Sequence, residues 1–174
     1  WFPTYLMEAR DFTLKQMSVV HTNTLAAATV GDLVGGWLSD VLARKTGDLR
    51  WARRSVAITG FLLAAVCILP ATLTSDRYLS VALTAVGLFG LELTVGVSWA
   101  VTVDIGPEFA GSISGVMNMC GNLGGAISPL VFAALLQRYD WRAPFLVACV
   151  LFVVAAICYL RIDPNDRIVA GPST

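Results

Sequence analysis

An all-α membrane protein is the fold class this sequence predicts, and three observations predict it. Hydrophobic residues make up 56% of the chain and charged residues 14%, with a mean hydropathy of +0.71. Soluble domains carry about 25% charged residues, so little of this surface can face water. Five stretches match the roughly 20 apolar residues that a bilayer crossing needs. The connections between them are short, which makes successive helices antiparallel neighbours in a bundle.

The elements follow in order. The chain opens on Trp1-Phe2-Pro3-Thr4-Tyr5-Leu6 without an initiator methionine or a signal peptide, so residues 1–7 read as the end of a helix whose beginning is missing. Spans are expected at 15–42, 55–73, 78–103, 109–136 and 143–160. Residues 43–54 read as a basic loop and 161–174 as a tail. Arg44, Lys45, Arg50, Arg53, Arg54, Arg161 and Arg167 fall on one side of the membrane, against Arg10, Lys15, Arg77, Arg138 and Arg142 on the other. The positive-inside rule puts the basic loop and the C-terminus in the cytoplasm. A multi-pass protein of the plasma (inner) membrane is the expectation.

Composition also excludes function classes. Net charge is zero, so no basic field attracts nucleic acid. Cys67, Cys120, Cys149 and Cys158 lie far apart in apolar runs with no CxxC pair, and no metal, cofactor or disulfide framework is signalled. One histidine, no HExxH and no paired acids argue against a membrane-embedded enzyme.

The spans differ in polarity. The second (55–73) and last (143–160) contain no ionisable residue between their ends and are expected to face lipid all round. The other three carry His21, Asp32, Glu92, Ser114, Asn118 and Asn122, and polar groups at membrane depth face a bundle interior or a wet cavity. Three helices are therefore expected to line a cavity and two to brace it. Glu92, Gly96 and Trp99 fall on one helical stripe. A carboxylate at that depth needs a cation, a proton or water, which suits a proton carrier; a protonated acid bonded to a neighbouring helix is the plainer alternative. His21 and Asp32 share a helix face but stand about 16 Å apart along it, so each needs its own partner. Ser114, Asn118 and Asn122 make a polar stripe suited to binding a carboxylate or hydroxyls reversibly, or to gluing helices together. Gly111 with Gly115, and Gly121 with Gly125, form a small-residue seam. Asp40 stands at a helix end beside the basic loop, placed to accept hydrogen bonds from Arg53 or Arg54.

Several of these motifs are familiar as a set. Gly36-x-x-x-Asp40 followed by Arg44-Lys45 resembles the second copy of the signature loop of the major facilitator superfamily, between the eighth and ninth of twelve helices. Val41 stands where a basic residue often follows the Asp. Trp1-Phe2-Pro3-Thr4-Tyr5 looks like the end of helix seven in the anion:cation symporter branch. Gly96-Val97-Ser98-Trp99-Ala100 through Asp104-Ile105, then Ala110-Gly111 and Asn118 to Pro129, is similar to helices ten and eleven of that branch. The resemblance implies the C-terminal six-helix half of a twelve-helix bundle, its first helix truncated, with helices seven to twelve at 1–7, 15–42, 55–73, 78–103, 109–136 and 143–160. It further implies a proton-coupled importer of small organic anions such as sugar acids, working by alternating access with a missing N-terminal half. Substrate contacts would map to Ser98, Trp99 and Asn118, with Asn122 added from its stripe. Glu92, His21 and Asp32 are the candidates for proton coupling or cavity polarity. Gly36, Asp40, Arg44, Lys45, Arg53 and Arg54 are the candidates for a gating latch. An anion exchanger or exporter on the same fold is the alternative, and a non-transporting sensor or scaffold the more distant one.

Overall fold

The computed structural model describes residues 1–168. Part of the tail read at 161–174, namely residues 169–174, lies outside the described residues. A short helix α1 (Phe2–Glu8) precedes five long ones: α2 (Leu14–Thr46), α3 (Leu49–Leu73), α4 (Arg77–Ile105), α5 (Ala110–Arg138) and α6 (Arg142–Tyr159). A 3-10 turn at Pro107–Phe109 leads into α5, and no strand occurs among the described residues. All five long helices are long and apolar enough to cross a membrane.

Local chemistry sets the helix ends. Thr13 and Gln16 form a capping box that starts α2, satisfying amides that would otherwise lack partners. Gly47, at φ +70°, ends α2 in the left-handed conformation that glycine adopts without a Cβ penalty. Asp48 then accepts from the Trp51 amide at 2.8 Å to begin α3, and Asp76 caps α4 through Tyr78 and Leu79.

The basic stretch 43–54, expected as a loop, is thus helical except for Gly47 and Asp48. Hydropathy ends a span where charges begin, but a helix needs no bilayer to continue. It runs on into the aqueous layer until a residue with special backbone chemistry stops it.

Helix α4 sits between α2 and α3, and α3 also packs on α6. Glycines permit the closest approaches. A Cβ on Gly35 would collide with the Leu93 backbone carbonyl, and one on Gly60 would lie 2.5 Å from the Gly90 carbonyl oxygen. Helices in lipid gain nothing from burying apolar surface against each other, so close van der Waals fit has to hold them.

The expectation that the two apolar spans face lipid all round is corrected: α6 buries Pro144, Cys149, Ala156 and Tyr159, and α3 a longer face. Ala52, Val56, Ala57, Gly60, Ala64, Cys67, Ile68 and Ala71 form a buried face, while Leu62, Val66, Leu69 and Leu73 are exposed. The inward face is apolar but small, and hydropathy does not distinguish it from a lipid-facing surface. Helix α5 is the opposite case. None of its residues is buried, and a Cβ on Gly111, Gly115, Gly121, Gly124 or Gly125 would meet nothing within 4 Å. Its small-residue seam is unused within this chain.

Both ends of the bundle are fastened. At one, Arg10 donates to the Tyr5 hydroxyl (2.7 Å) and to the carbonyls of Thr74 (2.6 Å) and Ala71 (2.7 Å), a cation on the carbonyl end of α3. At the basic end, Val56, Ala57, Val97, Val101 and Tyr159 form a core cluster with Ile162 against it. The segment after α6 crosses this end. Arg54 Nε donates to the Ile162 carbonyl (2.7 Å), Arg50 pairs with Asp163 (3.0 Å), and the Ile168 amide donates to the Ile105 carbonyl (2.8 Å).

Candidate functional site

Of the latch candidates, Asp40 and Arg53 bond each other, in a cluster with Ser39 and Asp104. The Arg53 side chain is only 7% exposed, and it joins three helices. Nε donates to Asp104 Oδ2 on α4 at 2.8 Å, while Nη1 donates to Asp40 Oδ1 and to Ser39 Oγ on α2, both at 2.6 Å. Ser39 in turn donates to the Gly36 carbonyl. A buried guanidinium with three directed acceptors is compensated for its lost hydration. Of the other latch candidates, Arg54 binds the strap after α6 instead. Arg44 and Lys45 are exposed in the last turn of α2 and form no ion pair among the described residues. A Cβ on Gly36 would meet nothing within 4 Å, whereas Gly31 and Gly35 carry the close contact with α4.

Sequence reasoning did not single out Asp104 or Ser39 for this cluster. The signal for Asp104 was its place: an acid at the end of an apolar span, on the same side as five clustered basic residues.

Along the α2–α4 seam the two membrane carboxylates become neighbours. A Cβ on Gly31 would lie 3.2 Å from Glu92 Cβ, and one on Gly96 would lie 3.0 Å from Asp32 Oδ1. The glycines admit each acid's side chain into the helix–helix contact. Neither carboxylate is paired with a cation among the described residues. His21 stays apart, as its spacing from Asp32 required. Its ring tilts against Phe2 with centroids 5.9 Å apart, and its buried Nδ1 has no hydrogen-bond partner.

The four substrate candidates divide. Ser98 turns toward α6: its hydroxyl donates to the Thr94 carbonyl (2.7 Å) and bonds the Tyr159 hydroxyl (2.9 Å). Trp99, one residue on, is exposed on another face of α4. Asn118 and Asn122 are exposed on α5, where Asn122 Nδ2 donates to the Asn118 carbonyl (2.8 Å) and to Asn118 Oδ1 (3.2 Å). Helices α4 and α5 meet through the Thr102 and Ser114 hydroxyls, 2.9 Å apart. Counting along antiparallel helices from that contact, Asn118 lies about 6 Å further on, at the depth of Trp99. Asn122 lies one further helical turn, about 6 Å, beyond them, and all three side chains are on faces this chain leaves uncovered.

Comparison with known proteins fits this architecture. The family model described as Major Facilitator Superfamily matches residues 1–173. A Cupriavidus necator protein named "Probable sulfoacetate transporter SauU" is 40% identical over 165 residues, covering 94% of this chain and 38% of its own length. The D-galactonate transporter of Escherichia coli O6:H1 is 32% identical, covering 92% of this chain and 37% of its own length. The hexuronate transporter of Bacillus subtilis is 31% identical, with 92% and 39% covered. This chain therefore spans about two fifths of the length of these relatives. With a match over nearly every residue and a bundle of membrane-length helices, the chain belongs to the Major Facilitator Superfamily, in the anion:cation symporter branch that its motifs resemble.

Proposed function

We propose that this chain is the C-terminal half of a secondary transporter that carries a small organic anion by alternating access, coupled to protons. The observation that carries the reading is the alignment: relatives aligned over more than nine tenths of this chain are named for sulfoacetate, D-galactonate and hexuronate, all of which bear a carboxylate. On this reading α1 to α6 are the end of helix seven and helices eight to twelve, the basic end is cytoplasmic, and the membrane is the plasma membrane.

The fold supports a two-halved carrier. Helix α5 has no buried residue and a line of glycines with nothing against them, the surface a second half would cover. Trp99, Asn118 and Asn122 then face the space between halves, with the indole as a rigid wall and the amides as uncharged donors for a carboxylate. Glu92 and Asp32 are the acids that take up and release the proton. Ser98, held by Tyr159, positions α4 against α6 rather than touching substrate. His21 is a structural residue of the α1–α2 contact. The Arg53 cluster latches the cytoplasmic ends and is remade as the bundle rocks.

The test is uptake by the intact protein in proteoliposomes. Accumulation of sulfoacetate, galactonate or hexuronate under an inward proton gradient is expected. Failure to move any small carboxylate would overturn the transport reading. Counterflow indifferent to pH would remove proton coupling and leave an exchanger.

A further inference from the structure

We propose that the basic end of α3 carries a binding site for an anionic phospholipid, with the headgroup phosphate at Arg50 and Arg54 and an acyl chain along the outward face of α3. A cavity of about 450 Å³ opens there, lined by Arg50, Trp51, Arg54, Ser55, Ile58 and Leu160, with Asp48 at its edge. Trp51 and Ser55 also line a second hollow of about 220 Å³ on the other flank of α3, walled by Leu38, Leu42 and Leu93. A polar mouth thus leads on either side of α3 into apolar grooves between membrane-spanning helices.

The chemistry of this mouth is that of a membrane interface. Trp51, half exposed, has the apolar body and single donor that sit at headgroup depth. Below it, exposed Leu62, Val66 and Leu69 continue the α3 surface into hydrocarbon. Charge favours an anion. Arg50 and Arg54 line the mouth; Arg44 and Lys45 are exposed in the last turn of α2, and exposed Arg161 follows the lining residue Leu160. Two acids oppose these five cations: Asp48, which caps the Trp51 amide, and Asp163, which pairs with one Arg50 nitrogen. Among the described residues only Nε of Arg54 is used, on the Ile162 carbonyl, which leaves its terminal nitrogens for phosphate. The amino-terminal end of α3 adds a favourable dipole. A soluble anion would satisfy the arginines but not the apolar grooves, so the combination selects a lipid.

The same arginines hold the strap after α6, which is anchored at Ile105, the residue next to Asp104. A bound headgroup would therefore reinforce the basic end of the bundle where the latch forms.

The experiment uses the intact protein in phosphatidylcholine nanodiscs doped with acyl-brominated phosphatidylglycerol, reading tryptophan fluorescence. Brominated phosphatidylglycerol is expected to quench more strongly than brominated phosphatidylcholine at equal mole fraction, and Trp51→Phe should abolish the excess. Juxtamembrane basic residues each favour anionic lipid severalfold, so Arg50→Gln with Arg54→Gln should weaken the preference about tenfold. Arg50→Lys with Arg54→Lys keeps the charge and should retain most of the preference, even if the neutral pair disturbs folding. Equal quenching by the two lipids, or a preference that survives the neutral pair, overturns the proposal. Displacement of the brominated lipid by soluble glycerol phosphate would reassign the pocket to a free anion and also overturn it.

Discussion

Arg53 makes three charge-assisted or polar contacts from a side chain almost without solvent access. The three are not equivalent. Asp104 is 19% exposed and Asp40 53% exposed, so losing Arg53 strands Asp104 in poorly hydrated surroundings while water can reach Asp40. Removing one member of a buried pair costs about 3–5 kcal/mol, and the partial exposure of the acids argues for less. Arg53→Met is expected to lower stability by roughly 2–3 kcal/mol, measured as earlier melting in detergent. Asp104→Asn should fall in between, and Asp40→Asn should cost least. Equal shifts for the two acids would mean that the cluster is not organised by burial. Glu92 calls for a different assay, because it has no cation to lose. Glu92→Gln keeps the shape of the side chain at the α2–α4 seam and removes the exchangeable proton. Expression and melting should be retained while proton-driven accumulation falls and counterflow persists. Unaltered accumulation across pH would mark the residue as structural.

At the level of helices, close approach divides positions that look alike in sequence. Gly35 and Gly36 are adjacent, yet a Cβ on Gly35 would overlap the Leu93 backbone and one on Gly36 would meet open space. Backbone atoms cannot rotate away as a side chain can. Gly35→Ala should therefore push α2 from α4 and destabilise by about 1–3 kcal/mol, the usual cost of overpacking. Gly36→Ala should be neutral or raise stability by up to about 1 kcal/mol through helix propensity. Thermal melts of the two variants in the same detergent check this, and equal destabilisation would refute the packing. The contrast also shows what was legible beforehand. Five spans could be read from apolar length, and Asp40 with a neighbouring arginine from a charge at a helix end. The buried face of α3 could not, because alanine and glycine packed against a helix have the same hydropathy as alanine and glycine facing lipid. Nor could the acid on α4 that Arg53 binds. Asp104 lies 51 residues from Arg53, and only the antiparallel return of α4 brings them together. The direction of Ser98 was not legible either: it adjoins Trp99 in sequence, but one helical step rotates it about 100°, and its hydroxyl bonds Tyr159.

Taken whole, the molecule is unevenly finished, and the unevenness is testable. Helices α2, α3 and α4 close on one another through glycines, while α5 touches α4 mainly near its start and keeps every residue at least partly accessible. A helix with Asn118, Asn122 and a glycine seam on uncovered faces is poorly matched to hydrocarbon, where polar side chains are costly. It matches the proposed moving interface with a second helical bundle. Cys120 lies on this helix and is exposed, whereas Cys67 and Cys149 are buried. With Cys158, the other exposed thiol, replaced by serine, a maleimide should label Cys120 readily in the 174-residue chain and leave Cys67 and Cys149 unmodified. In the intact protein the covering half proposed above should slow the Cys120 reaction by about tenfold or more. Saturating substrate should then change that rate again, because alternating access opens and closes the interface on which the thiol sits. Labelling equally fast in both preparations and indifferent to substrate would put α5 against lipid, and the two-halved carrier would lose its structural basis.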